Sequence, residues 1–310
     1  MIHRSIFVLI LFFSVPAHAL DFNAYHTQDQ INQYLRDLAQ RYPTLVQFHN
    51  LGTSDENREI NYITLTSGSN QLPGIYFNGT HHGNEWSSTE GILGLVDYLI
   101  TNKSEATVAA LLNQYVFYLQ PLVNPDGHFH QTREDINGND PNRDYAYPGS
   151  GTQFKTKIIP LVKSLLDSHV FRAAAAYHSG IEEILWPWCY TASASKDKDL
   201  FHTFAKKVAV AMGYDRYLQS YDDYATEGEF IDYAYMSQGT FGLTYEVSAD
   251  FTPAESDLPG VVSRSIDGAM AFIKSVSDYD RGQLSIEPEA TVSLAHSKNP
   301  MWTLFGQKLE

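Results

Sequence analysis

From residue 20 to residue 277 short apolar runs alternate with amphipathic ones, and no Pro/Gly linker, internal repeat or low-complexity tract divides them. That alternation predicts a single α/β domain, with a mainly parallel or mixed central β-sheet and helices on both faces. The first amphipathic run, 27–42, starts on Thr27 with Gln30 three residues later, a capping box. Ile31, Leu35, Leu38 and Tyr42 then mark one helical face. Strands are expected at 46–51 and 60–66 around a polar turn at 54–57, and again at 74–77, 115–122, 170–177 and 241–247. Helices are expected near 89–99, 154–166, 199–212, 231–236 and 261–276, and Asn124-Pro125-Asp126-Gly127 reads as a turn. In such sheets the functional side chains gather where strands end and loops begin.

The two ends differ from this body. Residues 1–19 hold His3 and Arg4, an apolar run at 6–13, and Pro16-Ala17-His18-Ala19. A basic start, a run too short to span a bilayer and a small-x-small ending predict a cleavable signal peptide, hence export to the periplasm or the medium. No later run is long enough to cross a membrane and no Cys follows the leader to take a lipid, so no membrane anchor is expected. Residues 20–278 are expected to form the functional domain. In the extension, 279–310, residues 283–296 alternate loosely, as a strand pair packed on the domain or the stub of a small β domain. Twenty-one Lys and Arg against thirty-six Asp and Glu give a net charge of −15, which argues against nucleic acid as a partner. The one cysteine, Cys189, permits no internal disulfide.

Candidate chemistry starts at His82-x-x-Glu85, just after the expected strand at 74–77. This spacing can present an imidazole nitrogen and a carboxylate to one metal ion, and it also fits a polar helix start with Glu85 complementing the helix dipole. His178 ends the run Ala173-Ala174-Ala175-Ala176-Tyr177, where a buried strand would deliver one polar side chain at its mouth. Alone, a histidine in such a place is more often a hydrogen-bonded core residue than a ligand. Together the three offer two imidazoles, a carboxylate and an open fourth position, a common set for catalytic zinc.

Ordered along the chain, these and other motifs resemble the zinc metallocarboxypeptidases, peptidase family M14, over about residues 25–276. Tyr25-His26-Thr27 is similar to the family's opening, and Asn78-Gly79-Thr80-His81 leading into His82-x-x-Glu85-Trp86 to its metal motif. Asn124-Pro125-Asp126-Gly127 is similar to its central turn, and Asp140-Pro141-Asn142-Arg143 to its substrate-carboxylate motif. His178-Ser179, then Trp186-Pro187-Trp188 and Tyr190-Thr191, resemble its third-ligand segment, and Thr244-Tyr245-Glu246 its catalytic-glutamate strand.

The resemblance implies one Zn2+ per chain on His82, Glu85 and His178, with Glu246 as the general base that deprotonates the zinc-bound water. It implies that Arg133 polarises the scissile carbonyl and that Asn142 and Arg143 grip the terminal carboxylate. Tyr224 falls on the tyrosine that closes over the substrate, and Asp140 on the acceptor that orients His82. The implied activity is hydrolysis of the C-terminal bond of peptides with a free C-terminal carboxylate. Arginine suits both of its proposed tasks, since its planar fork holds a carboxylate bidentately and stays charged.

Some positions depart from the pattern. Asp144 stands where the family often has Asn, and Asn84 where many digestive members have Arg; no long activation segment fits between Ala19 and Thr27. Ile231 is expected at the base of the pocket for the terminal side chain, near Thr226, Glu229 and Thr244, which favours aliphatic or aromatic termini. Glu229, if it turns inward, would add Lys and Arg; if exposed it would add nothing. The alternative readings are a cell-wall zinc peptidase cutting murein stem peptides at a diaminopimelate-type residue, and a non-catalytic peptide-binding protein of the same fold.

Overall fold

Thr27 caps the first helix, α1 (Gln28–Arg41): its hydroxyl accepts from Gln30 N while the Gln30 side chain accepts from Thr27 N, so the capping box forms in full. The structure is a computed structural model that describes residues 20–151 and 153–288. The expected hairpin follows as β1 (Val46–Thr53) and β2 (Glu59–Leu65), then β3 (Gly74–Gly79), α2 (Trp86–Thr101), α3 (Ala106–Gln114) and β4 (Val116–Gln120). Next come α4 (Pro125–His130), α5 (Ile159–Ser168), β5 (Phe171–His178), β6 (Ile181–Trp186) and α6 (Lys198–Met212). The chain continues through β7 (Tyr217–Gln219), α7 (Ser220–Asp223), α8 (Phe230–Gln238), β8 (Phe241–Ser248) and α9 (Leu258–Asp280).

Among the described residues the strands form one mixed eight-stranded sheet in the order β1-β2-β4-β3-β5-β8-β6-β7. Its centre, β4-β3-β5-β8, is parallel; β1, β2 and β6 join antiparallel, and β7 lies parallel to β6. Both faces are covered. Ile75, Phe77, Ala173, Ala175 and Tyr177 pack into a layer with α1, α2, α3, α6 and α9, while Tyr76, Ala174 and Ala176 pack with α5 and α8. The alanine run of β5 lets helices approach this central strand from both sides, which sets the level at which His178 emerges.

Several expectations shift. Asn124 to Gly127 is the start of a helix rather than a free turn: Asn124 caps α4 by accepting from Gly127 N, and Pro125 holds the first helical position. The helix expected from 154 begins at Ile159, because Phe154 has a positive φ and Asp144 ties down the next two backbone amides. The alternation at 283–296 builds no strand in its described part. Gln283 and Leu284 donate to Asp278 O at the end of α9, and Glu287 N to Thr203 Oγ1, so this stretch turns back from α9 to reach α6. Residues 1–19 and those after 288, and with them the signal peptide and the rest of the extension, lie outside the described residues.

Candidate active site

The loop between β3 and α2 carries His82 and Glu85, and its path depends on Gly83. A Cβ at Gly83 would stand 2.0 Å from the backbone carbon of Gly127, so only glycine lets the loop press against α4. Gly83 N also donates to Arg133 O at 3.2 Å, and Asn124 Nδ2 reaches His81 O at 3.1 Å and Glu134 O at 3.2 Å. One contact zone thus places His82, Glu85 and Arg133 together. Gly83→Ala is expected to cost about 1–3 kcal/mol of stability and to weaken zinc binding, because backbone must move. Thermal denaturation with a zinc titration checks this, and unchanged values for both would refute it.

Three buried ligand-type side chains converge. His82 Nδ1 lies 2.8 Å from Glu85 Oε1, His178 Nδ1 lies 2.9 Å from Glu85 Oε2, and the two Nδ1 atoms are 3.1 Å apart. One ligand atom from each falls within 4.8 Å of the others. Their chemistry fits zinc, and the far nitrogen of His82 is fixed as such sites require: Nε2 lies 3.0 Å from Asp140 Oδ1. Against the cost of burial, His82 and His178 hold the Glu85 carboxyl well below the usual range. Asp140, likewise lowered despite burial by His82 and Arg133, accepts from Asn142 N at 2.9 Å and from Arg133 Nη2 at 2.9 Å.

Glu246 pairs with His178 on adjacent parallel strands, so both leave the sheet at one level. Its Oε2 is buried without a hydrogen-bond partner among the described residues. Burial first, then the charges of Glu85 and Glu183, push the Glu246 carboxyl well above the ordinary range. An uncommitted carboxylate of raised basicity is suited to taking a proton.

Beside Asn142, Arg143 donates to Asn142 O at 2.8 Å, pairs with Glu229 Oε1 at 3.2 Å and lies 3.4 Å from the Tyr224 hydroxyl. Tyr224 is 59% exposed. Gly228 shapes this corner with a φ of +76°, and its absent Cβ would meet Arg143 O at 2.4 Å. Asn142 faces inward: Oδ1 accepts from Phe230 N at 3.0 Å and Nδ2 lies 3.4 Å from His178 Nε2. Glu229 is turned inward, 6% exposed, bonded by the Thr226 hydroxyl and 3.4 Å from Cys189 Sγ. Ile231 is fully buried against Gly242. Asp144 accepts from Lys155 N, Thr156 N and Thr156 Oγ1, all at 2.8 Å, an anchoring that suits an aspartate at this position.

A family model described as zinc carboxypeptidase, peptidase M14, matches residues 31–267. The chain belongs to this family. Zinc carboxypeptidase A 1 of Anopheles gambiae is 26% identical over 268 residues, covering 74% of this chain and 61% of that protein. Carboxypeptidase A1 of Mus musculus is 26% identical over 272 residues, covering 76% of this chain and 65% of that protein. The chain therefore spans a little under two thirds of the length of these relatives. Among solved structures, carboxypeptidase A from Helicoverpa armigera shares the fold with a TM-score of 0.77 at 19% identity, over 84% of this chain and 76% of that one. Bovine thrombin-activatable fibrinolysis inhibitor gives 0.75 at 19% identity, over 83% of this chain and 99% of that one.

Within this zinc carboxypeptidase fold, three groups near the site escaped sequence reading. Asp232 is fully buried behind Glu229, accepts from Cys189 N, and is pushed up to about 7 by burial and then by Glu229. Glu183 stands directly across from Glu246. Arg216 reaches both Glu183 and Asp223. The only signal for Glu183 was a pair of glutamates in the otherwise apolar run Ile181-Glu182-Glu183-Ile184-Leu185-Trp186.

Proposed function

We propose that the chain is a zinc-dependent carboxypeptidase that hydrolyses the C-terminal peptide bond of peptides. The observation that carries this is the convergence of His82, Glu85 and His178 beside Glu246, whose Oε2 has no partner among the described residues, with the half-buried Arg143 next to Asn142. His82 Nδ1, Glu85 and His178 Nδ1 would hold one Zn2+, which when bound lowers the pKa of a water to near 7 and polarises a carbonyl. Glu246 takes the water's proton and returns it to the leaving amine. Arg133, held by Asp140 with one nitrogen 3.6 Å from Glu85, offers positive charge where the carbonyl oxygen turns anionic. Arg143 receives the terminal carboxylate, and Tyr224, already near its guanidinium, closes over the bound end. Peptides with a free C-terminal carboxylate are the partners. Residues 1–19 act as an export signal, and no described helix is long and apolar enough to cross a membrane.

Glu229 widens the preference for the terminal side chain. Its inward carboxylate next to Asp232 makes the pocket acidic, with Arg143 as its paired cation. A peptide ending in Lys or Arg gives its carboxylate to Arg143 and its cationic head to Glu229, while the apolar wall around Ile231 accepts Leu or Phe. The test uses N-blocked dipeptides ending in Phe, Leu, Lys or Arg beside purified muropeptides. Turnover of both apolar and basic dipeptides is expected, and cleavage confined to muropeptides would overturn the reading. Glu229→Gln is expected to lower kcat/KM for the Lys-ended substrate by about tenfold or more relative to the Phe-ended one. An unchanged ratio removes Glu229 from specificity.

A further inference from the structure

Two buried carboxyl groups meet at one residue behind the proposed pocket for the terminal side chain. Glu229, at the start of α8, lies 3.4 Å from Cys189 Sγ. Asp232, three residues on, is fully buried, and both its oxygens accept from Cys189 N, at 3.0 and 3.1 Å. Thr226 closes the corner: its N donates to Cys189 O at 3.1 Å and its hydroxyl to Glu229 Oε1. The two carboxyl groups are compensated unequally. Glu229 has Arg143 at 3.2 Å, with Asp223 also within the field of its charge. Asp232 is faced by Glu229 on its own helix and by Cys189 and Tyr190 from the loop after β6, and none of these three is a cation. Two like charges taken out of water beside one cation are costly, and the less compensated group relieves the cost by keeping a proton. Burial, and then Glu229, accordingly push Asp232 up to about 7. Cys189 adds no charge of its own, because burial, Glu229 and Asp232 push its thiol well above the ordinary range.

We propose that Asp232 determines specificity through Glu229: a Lys or Arg side chain entering beside Glu229 expels the Asp232 proton to solvent, so the preference for basic over apolar ends strengthens as pH rises. It rests on the reading of Glu229 as the inward acceptor for basic ends. The entering cation compensates Glu229 and lowers the cost of a second negative charge behind it. The proton leaves Asp232 for the bulk, and the pocket then sets two carboxylates against Arg143 and the substrate's cationic head. A Leu or Phe end brings no charge and leaves the proton in place. The direction follows from linkage. Binding of the cation favours the deprotonated form, so its full strength is present above the pH at which Asp232 ionises in the empty pocket and is lost as pH falls below it. A Lys head stays charged across this range, so the change belongs to the pocket and not to the substrate.

The experiment measures kcat/KM of the zinc-loaded protein on N-blocked dipeptides ending in Lys and in Phe from pH 6 to 8. The quantity read is the Lys-to-Phe ratio, in which every titration common to the two reactions cancels. In the parent the ratio is expected to rise about fivefold to tenfold over this range. Asp232→Asn keeps an oxygen for Cys189 N and removes the proton site, so its ratio is expected to stay level within about twofold. A level ratio in the parent, or an undiminished rise in Asp232→Asn, overturns the proposal. A second measurement needs no variant and carries the test if Asp232→Asn fails to fold. Free arginine and free phenylalanine are titrated calorimetrically into the parent at pH 7, in two buffers of different ionisation enthalpy. Arginine is expected to release about half a proton more than phenylalanine, and equal release overturns the proposal. The two levels separate on the parent's substrates: no turnover of the Lys-ended dipeptide at any pH defeats the reading of Glu229, whereas turnover with a level ratio defeats only the part assigned to Asp232.

Discussion

Glu246→Gln is expected to lower kcat by about a thousandfold or more while leaving one zinc per chain bound. The substitution keeps the side chain's size and removes only its capacity to take a proton. Glu246 is not among the three converging ligand groups, so metal content should not change. Nor does it anchor a neighbour through its buried Oε2, which has no partner among the described residues. Replacing a buried carboxylate flanked by Glu85 and Glu183 with a neutral amide also removes a repulsion, so the thermal midpoint should hold or rise. A variant that folds, binds zinc and retains kcat within about tenfold of the parent would refute general-base catalysis by this residue.

Stripping the metal is the second large effect. Chelation is expected to abolish turnover, and one equivalent of zinc is expected to restore it. Stability should fall as well, since an ion that binds only the folded chain at a hundred times its Kd contributes about 2.7 kcal/mol. The site explains why the loss is felt throughout: His82 is tied to Asp140, Asp140 to Arg133 and Asn142, and Asn142 to α8 through Phe230 N. His178→Ala should reproduce the loss of metal and activity together. Turnover that is indifferent to chelation, or a purified protein without bound metal, would contradict a zinc mechanism.

The parts of this architecture legible in the sequence are those whose signals are local. The capping box of Thr27 and Gln30, the apolar runs of β3, β5 and β8, and the amphipathic α6 and α9 each declare themselves within about fifteen residues. The metal-type trio was legible because two of its members lie three residues apart and the third ends an unusual alanine strand. Other elements were not. α3 buries only Val108, Leu111 and Leu112, and β7 is three residues long, too little for either to show a period. β6 was hidden by Glu182 and Glu183, whose charge reads as loop until the sheet order places Glu183 beside Glu246. The orientation of Glu229 was open for a similar reason: its partners Arg143 and Cys189 are distant in sequence and meet only in the fold.

The pairing of His178 with Glu246 has a consequence for how such a site can change. The separation of the two groups is set by backbone hydrogen bonds between neighbouring strands, not by any side chain that a substitution could alter. Deleting or adding one residue within β5 or β8 would turn its group to the opposite layer and silence the site at a stroke. The residues proposed to face the substrate, by contrast, stand on loops and short helices around 133–143 and 224–231, whose length the sheet register does not fix. The chain thus separates a fixed gauge, built into the sheet, from a collar of loops and short helices that could change without disturbing it.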